Sequence, residues 1–251
     1  MKLILCTGSD LNYLAKIRPY LKSIEKNSNF DKNILVYVGE GSIEIPYENL
    51  ISVTLPISSI QSLNSNKCVQ HGDFLNSEEF NSMTDENDII IFTDGDIILQ
   101  RNLTEDEISY YYSFKDGDVY VGYNASPNDT LHDEANRLNK TGLFSSKIKK
   151  NSWNKIKVYN TGVLAMNKRS WKHLLVMYNE LYPSVKPMFK HYAKQQWLIS
   201  YILGTDTFFN VTEMGYDIHN HKHYPSPIGT TQDENCDVFF NNKKVLFRHN
   251  W

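Results

Sequence analysis

The chain has 251 residues, 41% of them hydrophobic and 22% charged, with a formal net charge of −3. That length supports a sizeable α/β core, the slightly acidic balance argues against a general nucleic-acid binder, and no stretch is long and apolar enough to span a bilayer. Three scattered cysteines (Cys6, Cys68 and Cys236) form no CxxC pair, so neither a disulfide framework nor a zinc site is indicated, and with no secretory signal a reducing, cytoplasmic setting fits.

In chain order, residues 2–7 read as a short buried strand, and residues 12–26 carry a helical stripe of Leu14, Ile17, Leu21 and Ile24. Residues 33–38 and 50–55 read as two further strands. A polar stretch then leads to Asp88-Ile89-Ile90-Ile91-Phe92-Thr93, the most strand-like apolar run in the chain. Strands follow at 119–123 and 157–166, then helical patterns at about 169–182 and 190–203, with Pro183 and Pro187 punctuating the gap. Residues 207–211 and 245–247 read as closing strands. Strands alternating with helices predict a mainly parallel central sheet flanked by helices, and the lack of repeats or linkers predicts a single domain over 1–251. The segment 124–157 stands apart as an insertion, with seven basic and no acidic residues from Arg137 to Lys157. It reads either as a solvated face or as a flap whose lysines approach phosphates or an acidic acceptor.

The residues that carry chemistry begin with Asp94-Gly95-Asp96, directly after the apolar run. A strand buried on both faces opens to ligand at its carboxyl end, and two carboxylates there are costly unless a cation neutralises them. Oxygen ligands suit a hard ion such as Mn²⁺ or Mg²⁺. His249, in Phe247-Arg248-His249-Asn250-Trp251, could complete such a site; His219, His221 and His223 form a second cluster at alternating spacing, which on a strand would share one face as a metal or phosphate site and otherwise lines a loop near the cleft, ranking below His249. Lys67 offers an ammonium to offset diphosphate charge. In Tyr159-Asn160-Thr161-Gly162, Gly162 would allow close backbone approach to a ligand, and Asn160 both donates and accepts.

Together these segments resemble the GT-A nucleotide-sugar glycosyltransferases, in particular family 8, the glycogenin and lipopolysaccharide-galactosyltransferase type. Ser9-Asp10-Leu11-Asn12-Tyr13 looks like that family's D-x-N-Y segment, Asp94-Gly95-Asp96 its DxD, Asn160-Thr161-Gly162-Val163 its N-[ST]-G-V, and His249 its late histidine. The resemblance implies a Rossmann-like GT-A fold and transfer of a hexosyl or deoxyhexosyl group from a UDP-sugar to a hydroxyl, on a glycan or other acceptor. It also implies Mn²⁺ (or Mg²⁺) on Asp94, Asp96 and His249. Gly8, Asp10, Asn12, Tyr13 and Lys67 would hold the nucleotide; Gly95, Asn160, Thr161 and Gly162 would line the donor site. Gln196 and Asp96 would be catalytic. Where the family carries Asp-Gln-Asp, this chain reads Lys194-Gln195-Gln196-Trp197. An inverting reaction would need a carboxylate base, for which Asp129, Asp133, Asp206, Asp217 and Asp233 are all open. A sugar-phosphate nucleotidyltransferase and a non-catalytic nucleotide- or sugar-binding protein are the rival readings.

Overall fold

The computed structural model describes residues 1–57, 72–124, 126, 128–137, 152–185, 194–221 and 227–249. Its first half runs β1 (Leu3–Asp10), α1 (Leu11–Leu14), α2 (Arg18–Asn27), β2 (Lys32–Val38), β3 (Ile51–Leu55), a 3-10 turn (Asp73–Asn76), α3 (Glu78–Met83), β4 (Ile89–Thr93), β5 (Ile97–Leu99) and α4 (Glu105–Tyr112). Then come β6 (Asp118–Gly122), α5 (Leu131–Arg137), β7 (Asn160–Asn167), α6 (Lys168–Val185), α7 (Lys194–Thr205) and β8 (Asn210–Glu213). Five short strands close it: β9 (His219–His221), β10 (Thr230–Gln232), β11 (Val238–Phe240), β12 (Lys243–Lys244) and β13 (Phe247–His249).

The apolar run becomes the centre of the main sheet. All five residues of β4 are buried, and the seven strands lie in the order β3-β2-β1-β4-β7-β6-β8. Every pair is parallel except those of β7, which runs antiparallel to β4 and to β6. Alternate residues of the central strands feed two cores. Ile90, Phe92, Leu164 and Met166 join α6 and α7 on one side, while Ile89, Ile91, Val163 and Ala165 join α2 and the small strands on the other. Double-sided burial explains why these strands read as continuous apolar runs. The sheet is therefore mainly parallel and flanked by helices on both faces, as the element pattern predicts.

On the first side Trp171 is the keystone. Its indole packs edge-on against Phe74 at 5.1 Å and Phe92 at 6.2 Å, and Nε1 donates to the Ile90 carbonyl at 3.0 Å. On the second side the C-terminal strands are stapled by the two residues after β5. The Gln100 amide donates to the carbonyls of Val238 and Val245 and accepts from the Val238 N–H at 2.8 Å. Arg101 donates from Nε to the Lys244 carbonyl at 2.7 Å and grips Glu107 with both terminal nitrogens. Glu107 also closes the capping box of α4 with Thr104. That network holds two small sheets in place, β10-β11-β12 and β5-β13-β9.

Four elements depart from the sequence pattern. The helix expected over 12–26 is two helices, because Pro19 lacks an N–H and restarts the helix at its first turn, leaving α1 separate. Pro183 does not end α6, which continues to Val185 and so carries a proline inside its last turn at the cost of one N–H bond. The strand expected at 207–211 forms only from Asn210, since Phe208 instead packs on His173 at 4.3 Å. The strand expected at 245–247 lies at Phe247–His249, and a short antiparallel set precedes it. Among the described residues no helix is long and apolar enough to cross a membrane.

Trp171→Ala should lower the unfolding free energy by about 3–5 kcal/mol, and Trp171→Phe by about 1–2 kcal/mol through the lost hydrogen bond. Urea unfolding followed by far-UV circular dichroism measures both, and a cost below about 1 kcal/mol for the alanine variant would refute the keystone role.

Candidate active site

The site forms where three strand ends meet. β1 and β4 are parallel with Thr7 opposite Thr93, so Asp10 and Asp94 emerge at the same edge of the sheet. Because β7 runs the other way, its first residues arrive at that edge too. Thr93 faces Val163, and the Asp94 N–H donates to the Gly162 carbonyl at 2.8 Å. The next partner of β7 is β6, whose end residue Gly122 registers with Asn160 after an irregularity.

β13 delivers His249 from the other side. It pairs antiparallel with β5, which sets His249 opposite Ile97, the residue after Asp96. His249 is 2% exposed, and its Nε2 stands 3.5 Å from Asp96 Oδ2. Gly162 lies between these groups. A Cβ there would stand 2.9 Å from Asn160 Oδ1, 2.9 Å from His249 Cε1 and 3.4 Å from Asp94 Oδ2. The missing side chain thus leaves the gap into which an amide, an imidazole and a carboxylate all look. The Asn160 Oδ1 accepts the Gly162 N–H at 2.8 Å, which fixes the amide's orientation.

The turn itself is tightly held. Gly95 packs on Ile17, where a Cβ would collide. Thr93, the residue before it, accepts at its carbonyl from the Thr7 hydroxyl at 2.8 Å and shares a short hydrogen bond with the Tyr20 hydroxyl. Burial pushes the Tyr20 phenol well above its usual range, so the hydroxyl keeps its proton.

The nucleotide-side residues lie along the same edge. Asp10 is buried and its Oδ1 accepts the Tyr13 N–H at 2.8 Å, capping α1. Gly8 is half-buried two residues earlier in β1, and Asn12 is exposed on α1. Tyr13 is exposed, with the Lys16 ammonium 4.9 Å from its ring centroid. Thr161 is buried beside Gly162. Gln196 occupies the first turn of α7; its carbonyl accepts the Ser200 hydroxyl, which in turn accepts the Tyr159 N–H at 3.0 Å. That chain ties the Gln196 turn to the residue before Asn160. Lys67 lies outside the described residues, as do His223 and 138–151 of the basic segment.

Several carboxylates open as possible bases have structural partners. Asp129 pairs with Arg137, Asp133 caps α5 through Thr130, Asp206 bonds His173 at 2.7 Å, and Asp233 accepts the N–H groups of Asn235 and Asp237. Of the two readings of the histidine cluster, the strand holds for His219 and His221. His219 is fully buried on β9, in register with Phe247, and its ring lies 5.6 Å from that of His249 and 5.6 Å from that of Tyr123. Gly122 makes room for it, since a Cβ there would come within 2.8 Å of His219 Nδ1. Gly122, Tyr20 and Thr7 carry little local signal beyond a Gly within a strand-like run and a Thr ahead of each of the nucleotide and DGD turns.

Asp94, Asp96 and His249 are of the ligand types that a hard cation takes. Asp96 Oδ1 is buried with no hydrogen-bond partner among the described residues, which a positive ion would relieve. Two carboxylates and an imidazole suit Mn²⁺ better than a soft metal. The set is open as it stands: among the described residues no three His, Cys, Asp or Glu side chains are gathered tightly enough to hold an ion by themselves.

No family model matches the sequence, and no curated protein matches it. Solved structures do match in shape. The galactosyltransferase LgtC, crystallised with donor and acceptor sugar analogues, superposes with a TM-score of 0.57 at 12% identity, covering 98% of this chain and 86% of that one. An active-site mutant of LgtC gives 0.56 at 12% identity with the same coverage. The apo form of mouse xyloside xylosyltransferase 1 gives 0.53 at 13% identity, covering 99% of this chain and 97% of that one.

Gly162→Ala places a methyl in the shared gap and should weaken binding of UDP with Mn²⁺ at least tenfold while the circular dichroism spectrum stays native; unchanged affinity by titration calorimetry would show that the gap is not the ligand's. With near-complete coverage and a mainly parallel, helix-flanked seven-stranded sheet, the chain has the GT-A fold of these glycosyltransferases.

Proposed function

We propose that the protein is a glycosyltransferase that moves a sugar from a nucleoside-diphosphate sugar, of the UDP type, to a hydroxyl acceptor. The observation that carries this reading is the gap at Gly162, where Asn160, His249 and Asp94 converge beside Asp96. The likeness in fold to an enzyme crystallised with donor and acceptor sugar analogues supports it.

On this reading Asp94, Asp96 and His249 would hold Mn²⁺. Bound there, the ion would offset the diphosphate charge and polarise the leaving group. Asp10, stiffened by its cap on α1, would take a ribose hydroxyl, and Tyr13 would offer its exposed ring to the base. Gly8, Asn12 and Lys67 complete the nucleotide side. Gly95 and Gly162 would bring backbone close to the donor, while Asn160 and Thr161 bind sugar hydroxyls. Gln196 would face the anomeric carbon and steady the positive charge that develops on the sugar. In the retaining course, the bond from the anomeric carbon to the diphosphate oxygen breaks, the acceptor oxygen bonds on the same face, and the acceptor proton passes to the departing phosphate. The carboxylates engaged by Arg137, Thr130 and His173 are held in structural contacts, which favours this course over a dedicated base.

Donor hydrolysis across a panel of nucleotide sugars, with Mn²⁺ or with EDTA, tests the reading. One UDP-sugar should be hydrolysed in Mn²⁺, with at least a hundredfold loss in EDTA and in Asp96→Asn or His249→Ala. Equal turnover in chelator would sink the metal assignment, and saturable UDP binding without any sugar release would make the protein a binding module.

A further inference from the structure

Helix α2 touches the DGD turn before, within and after it. Before the turn, the Tyr20 hydroxyl meets Thr93 Oγ1. Within it, Ile17 fills the space a Gly95 side chain would take. After it, the Ser23 hydroxyl accepts the Leu99 N–H at 3.0 Å, and the Asn27 amide donates to the Leu99 carbonyl at 2.8 Å. The Ser23 hydroxyl donates back to the Tyr20 carbonyl at 2.6 Å, so the contacts on the two flanks are linked within the helix. β5 therefore has β13 on one side and, at Leu99, α2 on the other.

Of the hydrogen bonds among these contacts, that of the Tyr20 hydroxyl falls on the residue next to Asp94. Tyr20 and Thr93 are both fully buried, and an unmade hydrogen bond at such a site costs the desolvation of the orphaned group. The pair is thus fixed in one geometry. Thr93 is held on its other side by Thr7, so three residues from β1, β4 and α2 form one buried polar link directly under Asp94.

We propose that Tyr20 is the positioning residue of the metal-binding turn: its hydroxyl on Thr93, seated on α2, sets where Asp94 and Asp96 stand. The proposal rests on the reading that this turn holds the cation of a nucleotide-sugar donor. A turn of two carboxylates around a glycine has little stiffness of its own, and a ligand shell loses affinity when its supports are loosened. Tyr20 is fully buried behind the turn, so its influence runs through Thr93.

The test uses Tyr20→Phe, which removes only the hydroxyl, Thr93→Val, which removes its partner together with that partner's long bond to the Cys6 carbonyl, and the double variant. UDP affinity is measured by calorimetry in Mn²⁺ and in EDTA, alongside the melting temperature. Each single variant should lose about tenfold in UDP affinity in Mn²⁺ and nothing in EDTA. The double variant should lose no more than the worse single one, because both remove the same link. A Tyr20→Phe protein that keeps the full gain from Mn²⁺ overturns the proposal, whatever its melting temperature. So does an equal loss in EDTA, which would mark general damage to the nucleotide segment. A wild-type protein that gains nothing from Mn²⁺ removes the metal reading, and this proposal falls with it.

Discussion

The antiparallel seating of β7 between β4 and β6 is the constraint on which the site depends. In a wholly parallel sheet every strand would bring its carboxyl end to the ligand edge, and the amino ends would lie far away. One reversed strand brings the opposite kind of terminus to that edge. Here it supplies Asn160, Thr161 and Gly162, and the Asp94 N–H is satisfied by the Gly162 carbonyl rather than by solvent. The carboxylate turn and the amide segment are therefore locked to one another by sheet hydrogen bonds, not by side-chain chance. The small sheet β5-β13-β9 then covers the remaining side and adds an imidazole.

The cost of that arrangement is polar burial. His249, His219, Asn160, Thr161 and Asp10 are all buried, at an edge where backbone groups also need partners. Much of this polarity is met by bonds within the site: Asn160 to Gly162, Asp10 to Tyr13, Thr7 and Tyr20 to Thr93. Such bonds hold a side chain at a chosen angle while the apolar layers beneath supply stability. Glycine does the complementary work. Gly95, Gly122 and Gly162 each stand where a methyl would strike Ile17, His219 or His249, and so they let three separate segments close to contact distance.

The DGD turn was legible because its chemistry and its fold signal coincide: an unbroken apolar strand ending in two carboxylates has few structural uses. Asp10, Asn160, Gly162 and His249 were legible through their resemblance to a known motif order, and the structure sets Asp10, Asn160, Gly162, Asp94 and His249 along one edge. What stayed hidden acts through distant partners. Tyr20 and Thr93 are 73 positions apart, and nothing local in either marks the bond. The alternating histidines allow both a strand and a loop, and only pairing with β13 decides for the strand at His219–His221. The break at Ala15–Ile17 was written in Pro19, but a helical stripe running through it masked the signal.

The staples around Gln100 and Arg101 have a consequence for how the chain folds. Gln100 reaches partners 138 and 145 positions downstream, and Arg101 one that is 143 away. Contacts of that sequence separation are slow to form, because a large loop must close before they repay its entropy. The small strands beside His249 are thus seated by contacts that carry a high loop-closure cost. A ligand that bridges the DGD turn and His249 binds only the docked state, and by mass action it would act as the clasp that keeps the last strand home.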